Sequence, residues 1–298
     1  MKEIVVISGK GGTGKTSITA SFSMLAGTEI VTADCDVDAA DLHLLLKPDF
    51  NIKNDFYGGF VAGVDKSLCT GCGLCAEVCQ FDALIEKDST YSVKPIQCEG
   101  CGYCTEVCPT GAIQMHERFT GNWYDSTIKT QGRMIHAKLG IGADNSGKLV
   151  AKVKKEARSI AERLGIEIIL IDGAPGIGCP VISSLSGAAL TVLVTEATVA
   201  GFHDLKRVYE LVKKFNIPAA CIINKVDLNK EIAEDIRDFL KSESIPVLVE
   251  IPYDEIFYQA MTAGKTIIEF SHNAIAEKMQ KAWIKTLALI GQANFNIE

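Results

Sequence analysis

Positive charge is in short supply in this sequence. Its 298 residues carry 30 Lys and Arg against 37 Asp and Glu, a formal net charge of −7. A nucleic-acid footprint needs clustered positive charge, so nucleic acid is excluded as a partner. Long apolar runs are missing as well. Lys2-Glu3-Ile4-Val5-Val6-Ile7 is too short for the apolar part of a secretory leader, and no cleavage-type tail follows it. The most apolar later run, Ala188–Val194, is soon broken by Glu196 and falls far below a bilayer span. A cytoplasmic protein with no membrane partner is expected. Histidine is sparse, and none of the five has a spacing that suggests a metal site.

Cysteine is plentiful, with eleven residues. Eight fall in two C-x2-C-x2-C-x3-C runs, "CTGCGLCAEVC" from Cys69 and "CEGCGYCTEVC" from Cys98. The disulfide frameworks of small secreted domains do not take this form, so the thiols are read first as cluster ligands. The two runs also make an internal repeat, one small half-unit duplicated.

About half of the residues are apolar and a fifth charged, enough for one large or two modest globular domains. Strands are expected at Glu3–Ser8, Glu29–Ala33, Glu167–Ile171, Ala189–Val194, Ala219–Ile223 and Pro246–Glu250. Helices are expected near Thr16–Ala26, Ser146–Leu164, His203–Phe215, Lys230–Glu243 and Asp254–Ala263. Strands alternating with helices imply a parallel sheet covered on both faces. Pro48–Asp55 reads as a connector, and Asn122–Lys129 with Arg133–Leu139 as two strands around a turn. Asn273–Ile290 spaces Ile275, Met279, Trp283, Leu287 and Ile290 helically; its polar face is not markedly basic, so it is read as docked on its own domain rather than on a membrane.

Gly9-Lys10-Gly11-Gly12-Thr13-Gly14-Lys15-Thr16, followed by Ser17, satisfies G-x-x-x-x-G-K-S/T between a strand and a helix. Glycines let backbone N–H groups cradle phosphates, Lys15 neutralises the outer phosphates, and the Thr16 hydroxyl can bind Mg²⁺. Asp34-Cys35-Asp36 follows the second strand, and Asp172-Gly173-Ala174-Pro175-Gly176 follows a later one. Asn224-Lys225-Val226-Asp227 closes another strand like a base-recognition motif. Ala263-Gly264-Lys265-Thr266 ends like a phosphate loop, but Gln259 stands where the first glycine is required, so it is not a second site.

With its second lysine, G-K-G-G-x-G-K-T resembles the deviant P-loop of the Mrp/MinD/ParA family, which includes the nitrogenase iron protein. The resemblance covers most of the chain. It implies a doubly wound, mostly parallel α/β P-loop NTPase that binds ATP and Mg²⁺ and forms a homodimer on ATP binding, with Lys10 reaching the partner's nucleotide. Asp36, with Asp38 second, would position the attacking water or the Mg²⁺ waters. Asp172 would hold the Mg²⁺ hydration shell. Asn224 would contact adenine, while Asp227 leaves GTP open. Cobyrinic acid amide synthases share this loop, but no cysteine here has a convincing His and carboxylate pairing of the glutaminase kind.

The cysteine runs resemble a bacterial ferredoxin with two 4Fe–4S clusters. By that family's cross-ligation rule, Cys69, Cys72, Cys75 and Cys108 hold one cluster, and Cys98, Cys101, Cys104 and Cys79 the other. Cys79 departs from the pattern in being followed by Gln80 rather than proline. Zinc is the alternative, though zinc sites usually pair two C-x-x-C halves. Cys35 and Cys221 are expected as buried hydrophobes. Cys179 lies just beyond the Asp172 motif, where relatives hold a cluster shared across a dimer, but it lacks a C-x-x-C partner. The expected organisation is an ATPase domain in two parts, 1–55 and 119–298, around an inserted ferredoxin-like domain, 56–118. The expected activity is ATP hydrolysis gating electron transfer through the clusters. The alternative is a carrier delivering iron–sulfur or other metal cofactors to a client protein.

Overall fold

The computed structural model describes residues 1–140, 146–271 and 274–291. Two compact units emerge. The first is Met1–Asn54, Trp123–Lys138 and the chain from Ser146; the second is Asp55–Asn122 with the short segment that begins at Leu139. In chain order the elements are β1 (Lys2–Ser8), α1 (Lys15–Ala26), β2 (Ile30–Asp34), α2 (Leu42–Leu46) and β3 (Ile52–Val64). Then come α3 (Leu74–Glu77), β4 (Leu84–Lys87), β5 (Thr90–Val93), α4 (Tyr103–Glu106) and β6 (Ile113–Thr127). The chain goes on through β7 (Arg133–Leu139), α5 (Ser146–Leu164), β8 (Ile168–Asp172), α6 (Cys179–Leu185), β9 (Leu190–Glu196) and α7 (Val199–Lys214). It closes with β10 (Ala219–Asn224), α8 (Lys230–Ser242), β11 (Val247–Glu250), α9 (Ile256–Thr262), α10 (Ile267–Phe270) and α11 (Ala274–Leu289).

The sheet of the first unit takes the order β11-β10-β9-β1-β8-β2-β7, then the ends of β6 and β3 that lie in this unit. β1 pairs in parallel with β8 and β9, β2 with β8 and β7, and β10 with β9 and β11. Every residue of β2, β8 and β9 is buried, as strands covered by helices on both faces require. α11 buries Ile275, Met279, Trp283 and Leu287, and the Trp283 ring lies 5.1 Å from Phe22 of α1. It is a helix docked on its own domain; Asn273, the expected start, lies outside the described residues. Elsewhere in this unit His136 is buried, bonded to Ser126 Oγ at 2.9 Å and stacked on Tyr124 at 5.0 Å. Burial, with His43 nearby, pushes its pKa down to about 4.

The second unit repeats itself at an interval of 29 positions. Gly73 and Gly102, both left-handed, precede the single turns α3 and α4. The Asp65 N–H donates to Ala112 O at 2.7 Å, and the equivalent Lys94 N–H donates to Ala83 O at 2.7 Å. Each half thus hands a backbone bond to the other, a pseudo-twofold arrangement. Its buried cluster is small: Ala62, Ala83, Leu84 and Ile113 with the thiols of Cys75 and Cys98.

Four local readings differ. Pro48–Asp55 is not wholly a connector, because β3 begins at Ile52, and β6 begins at Ile113 rather than Asn122. Glycines and polar residues hide the extended backbone there. α7 starts at Val199, four residues early, because Thr198 caps it by accepting the Gly201 N–H at 3.0 Å. The β4–β5 hairpin was not expected; Asp88 and Ser89 turn it with φ of 54° and 58°, which suits a type I′ turn.

Candidate functional site

β1 ends in Ser8, whose hydroxyl donates to Lys10 O at 2.8 Å and steadies the start of the glycine loop. At the end of the loop Gly14 adopts φ 93°, and a Cβ there would stand 2.6 Å from Asn224 Nδ2. Only glycine fits both demands. α1 opens directly after it with no side-chain cap, so its first-turn N–H groups are free for an anion. The loop borders a cavity of about 420 Å³, lined by Gly11, Gly12, Thr13, Gly14, Lys15, Thr16 and Ser17 on one side. Gly9 and Lys10 fall outside that lining. Gly9 packs so close to α7 that a Cβ would meet Asp204 backbone at 2.5 Å.

Strand ends bring the charged groups together, as an open α/β sheet does at its switch point. Lys15, buried, places Nζ 2.9 Å from Asp172 Oδ1 and 3.3 Å from Asp36 Oδ2. Burial works against its ammonium, but Asp172 and Asp36 outweigh it and hold its pKa above the ordinary value. The Thr16 hydroxyl donates to Asp172 Oδ2 at 2.8 Å, and Thr19 to Asp172 Oδ1 at 2.9 Å. Burial raises the pKa of Asp36 despite Lys15. Asp34, fully buried, accepts the Asp36 N–H at 3.1 Å, and burial with Asp172 raises its pKa far above the usual range. Thr16 and Asp172 are adjacent hard oxygen donors of the kind Mg²⁺ takes; Thr16 lines the cavity, whereas Asp172 is fully buried and does not. Asp38 is exposed and outside the cavity lining.

Asn224 lines the cavity and ties the loop through Nδ2 to Thr13 O at 2.8 Å. Asp227 does not line it; its carboxylate accepts the Tyr253 N–H at 2.6 Å and anchors that loop. Tyr253, Phe257 and Tyr258 line the cavity and were not singled out from the sequence. Nor was Glu196, which the sequence offered only as the end of an apolar run. It pairs with Lys10 at 2.6 Å and Lys225 at 2.8 Å. Thr266, in the loop-like Ala263–Thr266 stretch, forms a capping box with Glu269 for α10.

In the second unit, one small cavity is lined by Cys69, Cys72, Cys75 and Cys108, and another by Cys79, Cys98, Cys101 and Cys104. Each quartet takes three thiols from one repeat and the fourth from the other. Gly71 (φ 70°) and Gly100 (φ 69°) turn the two loops where a Cβ would strike the Ser89 and Phe60 carbonyls at 2.4 and 2.3 Å. The Ala62 N–H donates to Cys98 Sγ at 3.5 Å. Burial raises the Cys75 and Cys104 pKa values, neighbouring cysteines adding to the effect; at Cys108, Thr110 and backbone N–H groups outweigh burial and lower it. Such thiols resist joint ionisation until a cation holds them. No three His, Cys, Asp or Glu side chains among the described residues are grouped to hold one metal ion. The thiols border a space rather than meet at a point. Four thiols around a cavity, with N–H groups at hand, fit a cluster in which each sulfur takes a separate iron.

Cys35 and Cys221 are fully buried, as expected, and burial raises their pKa values. Cys179 is exposed at the start of α6. Among the described residues no helix is long and apolar enough to cross a membrane.

The sequence profile of the CobQ/CobB/MinD/ParA nucleotide binding domain matches residues 4–267. An uncharacterised protein of Methanocaldococcus jannaschii is 32% identical over 286 residues, covering 95% of each chain. Pyrococcus horikoshii MinD, a septum site-determining protein solved with Mg-ADP, aligns with TM-score 0.59 at 20% identity, covering 97% of each chain. A Cyanothece McdA–ATP complex aligns with TM-score 0.57 at 15% identity, covering 98% of this chain and 96% of that one. These two structures share the fold.

Proposed function

The chain belongs to the CobQ/CobB/MinD/ParA nucleotide-binding family, and from that premise we propose an Mg²⁺-dependent ATPase whose nucleotide state gates electron transfer by an inserted ferredoxin-like domain. The observation that carries the redox half is the pair of crossed thiol quartets. Two 4Fe–4S clusters there would supply one-electron storage. A unit this small, whose core is mostly alanine and thiol, also gains from a metal staple. The domain reading is an ATPase in two parts, 1–55 and 119–298, around a ferredoxin-like insert, 56–118.

For the ATPase half, Lys15 would neutralise the outer phosphates, Thr16 and Asp172 would hold Mg²⁺, which would offset the charge of the phosphates, and Asp36 would orient the attacking water. The products are ADP and phosphate. Support for ATP over GTP comes from Asp227, whose carboxylate is engaged by the Tyr253 N–H, and from Asn224, which faces the cavity. Relatives of the same fold are described with ATP and with Mg-ADP. Lys10 is read as completing the nucleotide site of a second copy, which makes the active form a homodimer. The partner of the second unit is a redox protein. The carrier reading is favoured by one observation, the exposed Cys179 next to the Asp172 loop. A labile extra cluster lost in Cys179→Ala would support it.

Anaerobic purification with iron and sulfide quantification tests the cluster half, with about eight of each per chain expected. Zinc in place of iron would overturn it. Steady-state hydrolysis of ATP by oxidised and reduced protein tests the coupling, and rates that ignore redox state would count against it.

A further inference from the structure

The Glu196 carboxylate closes a three-part bridge over the phosphate loop. It ends β9, is 8% exposed, and gives one oxygen to Lys10 at 2.6 Å and the other to Lys225 at 2.8 Å. Burial alone would raise its pKa, but the two ammoniums bring it below the usual value. Lys225 donates in addition to Gly12 O at 3.0 Å. The neighbouring Asn224 holds Thr13 O. The surroundings leave room for this carboxylate: a Cβ on Gly201 would stand 3.1 Å from Glu196 Cγ and 2.4 Å from its carbonyl oxygen. Gly201 lies in the first turn of α7, and the capping residue of that helix, Thr198, donates its hydroxyl to Glu196 Oε1 at 3.3 Å. Lys10 is half-buried, and its ammonium is held by its own chain.

We infer that Glu196 is a cis latch on Lys10, a positioning residue that opposes the nucleotide-bound dimer until a second copy's phosphates displace it. The inference rests on the reading that Lys10 serves a second copy. An ammonium bonded to a buried carboxylate has to loosen that bond before it can turn fully to another chain's phosphates. The carboxylate and the polyphosphate repel each other, so one yields. Lys225 sets the strength of the latch. It shares the same carboxylate, and with Lys225 bound, Glu196 holds Lys10 less tightly than it would alone. A contact between the end of β10 and the end of β9 thus tunes the lysine of the loop after β1. The three parts come from elements far apart in sequence but adjacent in the sheet.

Dimerisation of the full-length protein, measured by sedimentation velocity with Mg²⁺ and ATPγS, tests the latch through opposite signs. Glu196→Gln should tighten the dimer by up to about fivefold, the range one partly exposed ion pair spans. Lys225→Met should weaken it, because all of the carboxylate then falls to Lys10. The gain from Glu196→Gln should vanish when combined with Lys10→Ala, a coupling that general damage to the fold does not produce. If Glu196→Gln folds poorly, Glu196→Asp withdraws the charge from Lys10 and should shift the dimer in the same direction. Loss of dimer in Lys10→Ala without tightening in Glu196→Gln would overturn the latch and leave the trans-acting lysine standing. A Lys10→Ala protein that dimerises like wild type would overturn both.

Discussion

The first unit packs Phe22, Trp283, Met279 and more than a dozen fully buried aliphatic side chains around its sheet, whereas the second buries chiefly alanines, one leucine, one isoleucine and cysteine thiols. Burying a large apolar side chain is worth about 1.5–3 kcal/mol, an alanine far less. The first unit therefore has the means to hold itself together by burial. The second has the backbone cross-bonds of its two repeats and two thiol quartets, each lining a small cavity. All eleven cysteines are free, so no disulfide does this work. The family fold and the added chemistry are stabilised by different physics, and that difference can be broken experimentally from either side.

On the proposed cluster reading, the largest effect should come from the metal. Stripping iron anaerobically should release amide protection across Ala62–Ile113 to unprotected rates, while Ile4–Ile7 in β1 exchange as before; equal protection before and after removal would erase the contrast. The mirror experiment is Trp283→Ala, which should cost the first unit about 3–5 kcal/mol in denaturant unfolding. The same substitution should leave the cluster spectrum of the second unit unchanged.

A third probe is acid. His136 has a folded pKa of about 4 against an ordinary 6.5, so its folded form binds fewer protons than the unfolded chain. The stability it supports is present above about pH 6.5 and is lost as pH falls toward 4, up to about 3 kcal/mol. His136→Phe should flatten the urea midpoint against pH across that window. Asp34 has the opposite sign. Its folded pKa is raised, so it favours the fold below the unfolded carboxylate value and loses that advantage as pH rises. Asp34→Asn, which keeps an acceptor for the Asp36 N–H, should raise the melting temperature more at pH 8 than at pH 5. Equal shifts at both would show that the carboxyl is not held neutral.

Much of this was legible in the sequence, for identifiable reasons. Buried parallel strands are continuous apolar runs, so β1, β8, β9 and β10 announced themselves, and glycine spacing marked the phosphate loop. β3 and the first part of β6 did not, because Gly58, Gly59 and Gly63 interrupt the apolar alternation of β3, and Gly59, with φ 92°, departs from extended backbone within it. Glu196 and Lys225 lie 29 positions apart and meet only because β9 and β10 are neighbours in parallel register. No local pattern could bring them together. Asp227 matched a base-recognition motif, yet its partner is a backbone N–H of Tyr253, a loop the motif does not mention. The thiol quartets were legible as spacing, and the ferredoxin resemblance implied the crossed grouping that the two cavity linings repeat.

The claim that matters most is that nucleotide in the first unit alters redox behaviour in the second. The chain passes between the units within β3 and again within β6, and the second unit lies in sequence between Asp36 and Asp172. Potentiometric titration of the reconstituted full-length protein, followed by electron paramagnetic resonance with and without Mg²⁺ and ATPγS, measures this directly. A reduction potential that moves on nucleotide binding in the wild type, and does not move in Lys15→Ala, is the predicted result. Identical potentials in the presence and absence of bound nucleotide would contradict the account.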